Sequence, residues 1–180
     1  MRKKETTNMK LTKLLLPVAA SLLFAVSAFA QTDTFSDEDV EYSFALPEIV
    51  WKQTVKPSTT SPNVEYVYGD RTSGHLEVRK IAIKSGDLMA DTIGGEEQRL
   101  QFLPGYVAGK SENFDGALDG KIFNYEFIRS GRNMSGRFYF LKADDKTIYV
   151  LRFTGMSSKL RSLRNQTDSI ARTFNLKKTK

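Results

Sequence analysis

The stretch from Gly136 to Gly155 constrains this chain more than any other. It reads Gly-Arg-Phe-Tyr-Phe-Leu-Lys-Ala, then Asp144-Asp145, then Lys-Thr-Ile-Tyr-Val-Leu-Arg-Phe-Thr-Gly. Aromatic and β-branched residues fill both arms and an acidic pair divides them, which is the pattern of a β-hairpin. With Asp144 and Asp145 as a two-residue loop, Ala143 faces Lys146, Phe140 lies opposite Tyr149 and Phe138 opposite Leu151. Side chains alternate along a strand, so these residues and Phe153 share one face, an apolar plate that needs a cover. A three-residue loop would move the pairing by one and set Tyr139 against Leu151. The two-residue loop is the expectation. Turn chemistry explains Asp144-Asp145 better than a catalytic dyad does.

The cover follows directly. Leu160, Leu163, Thr167, Ile170, Ala171 and Phe174 recur at helical steps, with Lys159, Arg161, Arg164 and Arg172 off the stripe. This predicts one amphipathic helix from Ser158 to Phe174, capped by Ser157 or Ser158 and packed on Phe138, Phe140, Tyr149, Leu151 and Phe153. A basic amphipathic helix can also lie on a membrane surface, which would leave Leu160, Leu163 and Ile170 exposed.

The other end of the chain reads as a targeting segment. Arg2, Lys3, Lys4, Lys10 and Lys13 precede an apolar run from Leu14 to Val26, and Ala28-Phe29-Ala30 offers a cleavage site before Gln31. The run is shorter than the ~20 residues of a membrane span. No Cys follows it to carry a lipid, and Met9 would serve equally as a start because a basic segment survives. Residues 1–30 are thus expected to be a cleaved signal peptide, 31–39 an acidic spacer, 40–176 one globular domain and 177–180 a basic tail.

Cleavage changes the charge argument. The whole chain carries 27 Lys and Arg against 21 Asp and Glu, a net +6. Five of those bases and one acid fall in the leader, leaving 22 against 20, or +2. A chain so near neutrality gives no electrostatic case for nucleic acid. Zero Cys means that an exported fold holds by burial alone, and it removes thiol chemistry and thiolate metal sites.

Between the two ends the elements alternate. Tyr42, Phe44 and Leu46 share one face of a strand stopped at Pro47, and the single Trp, Trp51, is expected to plug the core. Strands are expected at 64–68 and 76–83, with a bulge near Arg79-Lys80, and at 106–114 and 121–129. Asp87 is placed to cap a helix running to about Phe102, which Gly94-Gly95 would kink, or whose backbone they would open to a close neighbour. His75, the only His, reads as an exposed loop residue without a partner for catalysis or metal. The acidic run 33–39 lacks the Gly and distal Glu of a calcium loop. Asn133-Met134-Ser135 and Asn165-Gln166-Thr167 match a glycosylation sequon, which matters only in a eukaryotic secretory route.

This order resembles the PsbP/Mog1-like fold, a family of α/β/α sandwiches. The resemblance is carried by Phe44-Ala45-Leu46-Pro47 with Trp51, by Ile148-Tyr149-Val150-Leu151-Arg152-Phe153, and by Asp168-Ser169-Ile170-Ala171-Arg172-Thr173-Phe174. It implies an α+β chain: an antiparallel sheet of about six or seven strands with helices packed on it. Family members are mostly accessory, assembly or binding proteins, including photosystem and nuclear-transport factors and bacterial envelope proteins. No site residue of those functions is carried over onto this sequence, and fold alone does not fix function.

No Gly-x-Ser-x-Gly, His-Glu-x-x-His or Cys/His pair occurs. The expectation is therefore a non-catalytic binding or accessory protein, exported to the periplasm or beyond. No catalytic residue, cofactor or metal ligand is assigned. Its partner would be another envelope protein or a small ligand. The alternatives are a membrane-surface protein acting through the terminal helix and, more remotely, a carboxylate-dependent hydrolase.

Overall fold

The computed structural model describes residues 33–177. The expected leader and the last three residues of the tail lie outside the described residues. Two strands open the described chain, β1 (Asp33–Ser36) and β2 (Tyr42–Leu46), paired antiparallel with Phe35 opposite Phe44. The acidic spacer expected here is therefore in part a strand. Phe35 alternates with exposed neighbours, and its ring stacks on Phe44 with centroids 4.9 Å apart. One buried aromatic seats a segment that its charges alone would leave in solvent.

Then come β3 (Trp51–Val55), β4 (Val64–Tyr68), β5 (Asp70–Ala82), α1 (Met89–Leu100) and β6 (Val107–Phe114). The chain continues through β7 (Gly120–Arg129), β8 (Arg132–Lys142) and β9 (Thr147–Met156), and closes with α2 (Ser157–Ser162), α3 (Arg164–Thr173) and β10 (Asn175–Leu176). Seven strands form one antiparallel sheet in the order β3-β4-β5-β9-β8-β7-β6, and β1-β2-β10 form a second. The chain is α+β, as the sequence implies, and the β8–β9 hairpin lies at the centre of the main sheet.

The hairpin register is the other one. Tyr139 pairs with Leu151, Phe140 with Val150 and Leu141 with Tyr149. The loop has three residues, Asp144 to Lys146. The Ala143 N–H donates to the Thr147 carbonyl at 3.1 Å, and Asp144 Oδ1 accepts the Lys146 N–H at 2.7 Å. Asp144 folds back on its own backbone, which is how an Asx turn sets a longer loop. A slip of one residue exchanges faces. Tyr139, Leu141, Tyr149, Leu151 and Phe153 thus line one core, while Phe138, Phe140, Ile148 and Val150 line the other.

Each face has its own cover. The small sheet, α2 and α3 cover the Tyr149 face, contributing Tyr42, Phe44, Leu160, Ile170 and Phe174. The expected partners of the terminal helix are corrected accordingly: Tyr149, Leu151 and Phe153 hold, and Phe138 and Phe140 turn away. That helix is also two pieces, broken at Leu163, and its first turn has no side-chain cap from Ser157 or Ser158. The Ser162 hydroxyl donates to the Lys159 carbonyl at 2.7 Å, a local bond that competes with continuing the helix.

On the Phe138 face lies α1, with Ile93 and Leu100 inward. Asp91, not Asp87, serves its first turn, accepting the Leu88 N–H at 3.1 Å, while Asp87 accepts the Lys84 N–H in the preceding turn. The helix runs unbroken through Gly94-Gly95, and a Cβ on either would meet nothing within 4 Å. Neither the expected kink nor the close neighbour is there. Buried Glu96 ties the helix to the sheet through Arg79, at 2.8 and 3.3 Å. The bulge expected near Arg79-Lys80 lies instead in the β4–β5 pairing, between Val67 and Tyr68. Leu76 and Val78 serve one core while Ile81 packs against the other, so mixed parity in β5 reflects a sheet covered on both faces.

Candidate functional site

The three-layer packing stops short at one edge. Past α2, the outer strands β6, β7 and β8 leave a groove of about 550 Å³ on the α2–α3 face of the sheet. This lies within the roughly 300–1,000 Å³ of small-molecule sites. The floor is built by β7 and β8, where Asn124 pairs with Arg137. The outer wall is β6, whose pairing shifts between Ala108 and Ser111. Gly109 sits in that irregularity, and a Cβ there would fall 2.5 Å from the Asn124 carbonyl oxygen, so glycine lets the edge close over the floor. Gly136, next to Arg137, plays the matching part on the other side of the sheet, where the Tyr125 ring occupies the place of its missing side chain.

Arg137 is the fixed charge of the groove. Its side chain is only 8% exposed. Nε donates to the Tyr139 hydroxyl at 2.6 Å, Nη1 to Asn124 Oδ1 at 2.9 Å and Nη2 to Asp168 Oδ1 at 2.8 Å. Tyr139 in turn donates to Asp168 and lies 3.0 Å from the Thr167 hydroxyl. Burial works against the arginine's charge, but Tyr139 and Asp168 outweigh it and hold the pKa above its ordinary value. Burial pushes the Tyr139 phenol well above its ordinary value too, so it stays a neutral donor. A guanidinium carries five N–H groups in a rigid fork. Three are engaged by these bonds, and the charge is paired with Asp168.

Four more charges line the same groove and stand in solvent. Arg161 on α2 and Arg164 on α3 belong to the helix side; Glu112 on β6 and Glu126 on β7 belong to the sheet side. Among the described residues none of these four enters an ion pair of 4.0 Å or less. Charges of both signs thus line the groove, and the buried Arg137 in its floor is paired with Asp168.

The residues weighed from sequence fall elsewhere. His75 is not an exposed loop residue: it lies within β5, its side chain 15% exposed, 2.9 Å from Glu65 Oε2 and 3.2 Å from Arg71. Its neighbour Leu76 points into the core beneath the groove face, so His75 occupies the opposite face of the sheet. Trp51 is buried as expected, its Nε1 donating to Gln166 at 2.9 Å. Asp144 and Asp145 stay in their turn. Sequence reading passed over Arg137, although a signal was there: an arginine at an inward position between Gly136 and the run Phe138 to Leu141. A charge placed so must be met by partners or a ligand.

No protein-family model matches the sequence, and no characterised protein matches it in a sequence search. Solved structures do match in shape. Mog1p, the Ran-binding protein of Saccharomyces cerevisiae, superposes with a TM-score of 0.58 at 8% identity, over 82% of this chain and 96% of its own. The cyanobacterial PsbP of Synechocystis gives 0.56 at 11% identity, over 84% and 95%. The fold is PsbP/Mog1-like. LpqN of Mycobacterium tuberculosis, involved in cell envelope biogenesis, shares it with a TM-score of 0.55 at 10% identity, over 82% of this chain and 92% of its own. Identity this low shows the PsbP/Mog1-like architecture alone. The groove and its charges are argued from this chain's own residues.

Proposed function

We propose that this protein is an exported, non-catalytic binding module of the cell envelope, and that its ligand occupies the groove beside Arg137. The carrying observation is an open groove whose lining includes a pre-positioned, buried guanidinium. Such a group recognises a carboxylate or phosphate in a bidentate manner. The residues around it suit binding rather than turnover: arginine, asparagine and serine supply hydrogen bonds, and His75 sits across the sheet. Glu112 and Glu126 stand in solvent, outside the apolar enclosure that a catalytic carboxyl acid needs. Export rests on the basic segment, the apolar run and Ala28-Phe29-Ala30. Structural neighbours that bind Ran or serve envelope biogenesis make a binding role consistent with the fold.

The membrane reading through the terminal helix loses its ground, because Leu160, Leu163 and Ile170 are buried against the sheet rather than exposed. Two measurements test the proposal. Intact mass of the exported protein should place its first residue at Gln31, and retention of residues 1–30 would refute export by cleavage. Affinity capture from an envelope extract should recover a ligand or partner with wild type and lose it with Arg161→Glu/Arg164→Glu. Equal recovery with both would move the binding site out of the groove. Turnover of ester, amide or glycoside substrates, abolished by Glu126→Gln, would make the protein an enzyme.

A further inference from the structure

We infer that the groove takes a zwitterionic ligand of the amino-acid or short-peptide class, its carboxylate on the arginine side and its ammonium on the glutamate side. The inference rests on the binding function proposed above and names the ligand. Its basis is an unusual arrangement of charge. Arg161 and Arg164 line the helix side of the groove and Glu112 and Glu126 the sheet side, yet no ion pair among the described residues joins them. Elsewhere in the molecule such residues do meet, as Arg79 and Arg99 meet Glu96 and Arg71 meets Glu65.

The elements explain why the gap stays open. Glu126 is fixed on β7, two residues along the strand from Asn124 on the same face, and Glu112 is fixed on β6. The arginines ride on α2 and α3, and Leu160 and Ile170 root those helices in the core. The backbones that carry the two sets of charges are held apart by the sheet and the core. What remains is a groove lined by unpaired charges of both signs, with Arg137 in its floor. A purely anionic ligand would satisfy the arginines and be repelled by the glutamates. A purely cationic one would meet the reverse. A molecule with one charge at each end satisfies both sets, and like-charge placement gives specificity against the others. Asp168 already pairs with Arg137, so Arg161 and Arg164 are the cations left to meet the carboxylate end.

Three probes of one shape separate the possibilities: tri-alanine, N-acetyl-tri-alanine, which keeps only the anion, and tri-alanine amide, which keeps only the cation. Each is titrated into the isotope-labelled exported protein, and amide resonances of Gly109, Ser135 and Arg161 report the groove. Tri-alanine should shift all three, and the blocked probes should bind ~tenfold weaker or less, the loss of one charge-assisted contact. Glu126→Gln should weaken tri-alanine and leave the acetylated probe unchanged. Arg161→Gln should weaken both. Both residues are exposed, so neither substitution threatens the fold. Equal binding of the acetylated probe would overturn the zwitterion and leave a plain anion site, with the binding function intact. Absence of any groove shift with all three would overturn the ligand class. Failure of envelope capture in the preceding experiment would overturn the binding function itself.

Discussion

Glu41 joins the two sheets. Its carboxylate accepts hydrogen bonds from the Lys80 ammonium and the Tyr149 hydroxyl, reaching from the loop before β2 to the central strands. Burial disfavours its charge, but those bonds outweigh burial and hold the pKa at about 2, below the ordinary 4.5. A carboxylate depressed on folding adds stability that is complete above its unfolded pKa and lost as pH falls through the folded one. Its contribution should therefore be whole at neutral pH and vanish between about pH 4.5 and about pH 2. Glu41→Gln should be less stable than wild type at pH 7, with the two denaturant midpoints converging across that window. The side chain is 45% exposed, so solvent screening keeps the gap small. Midpoints that stay parallel down to pH 2 would show that Glu41 does not couple folding to pH.

The elements carry two further expectations. Gly94 and Gly95 sit in the middle of α1 with open space where a Cβ would go. Gly in a helix interior costs ~1 kcal/mol relative to Ala, mostly through the freedom of the unfolded chain. Gly94→Ala and Gly95→Ala should each stabilise the protein by about that amount in urea melts, and a lower midpoint would contradict the open space around them. Leu163 marks the break between α2 and α3, is buried, and packs over Gly74, its Cδ1 3.0 Å from where a Cβ there would sit. Leu163→Ala should cost ~2–5 kcal/mol, the range for emptying a packed core site. An unchanged midpoint would detach the terminal helices from the sheet.

What sequence could and could not tell at this scale follows from the hairpin. Its strands were legible because aromatic and β-branched residues fill both arms. Its register was not, because a one-residue slip is penalised only where one face is polar. Here Phe138 and Phe140 are as deeply buried as Tyr139 and Leu141, so the apolar pattern fits either pairing and Asp144 decides it.

At the scale of the molecule, the core was legible and the groove was not. A core announces itself by periodic apolar residues close in sequence. The groove assembles Glu112, Asn124, Arg137, Arg161 and Arg164 from five separate elements, and each alone reads as an ordinary surface charge or a polar strand residue. The start of the domain was misjudged for a related reason, and there the misjudgement can be tested. Cleavage after Ala30 would leave two residues before β1. If 31–39 were a spacer, a chain beginning at Val40 would be as stable as one beginning at Gln31. The structure argues otherwise. Phe35 is buried among Tyr42, Phe44 and Tyr66, with ring centroids 4.9 to 6.1 Å away, and β1 covers one edge of β2 while β10 covers the other. Removing β1 exposes that aromatic cluster and strips β2 of its four partners on that edge, leaving two on β10. The shorter chain should lose at least what a buried Phe→Ala change costs, ~3–5 kcal/mol. Phe35→Ala in the longer chain should account for most of that loss, because the acidic neighbours of Phe35 contribute little burial. Urea melts of the chain from Gln31, the chain from Val40 and Phe35→Ala decide the matter, and equal midpoints for the first two would return the segment to solvent.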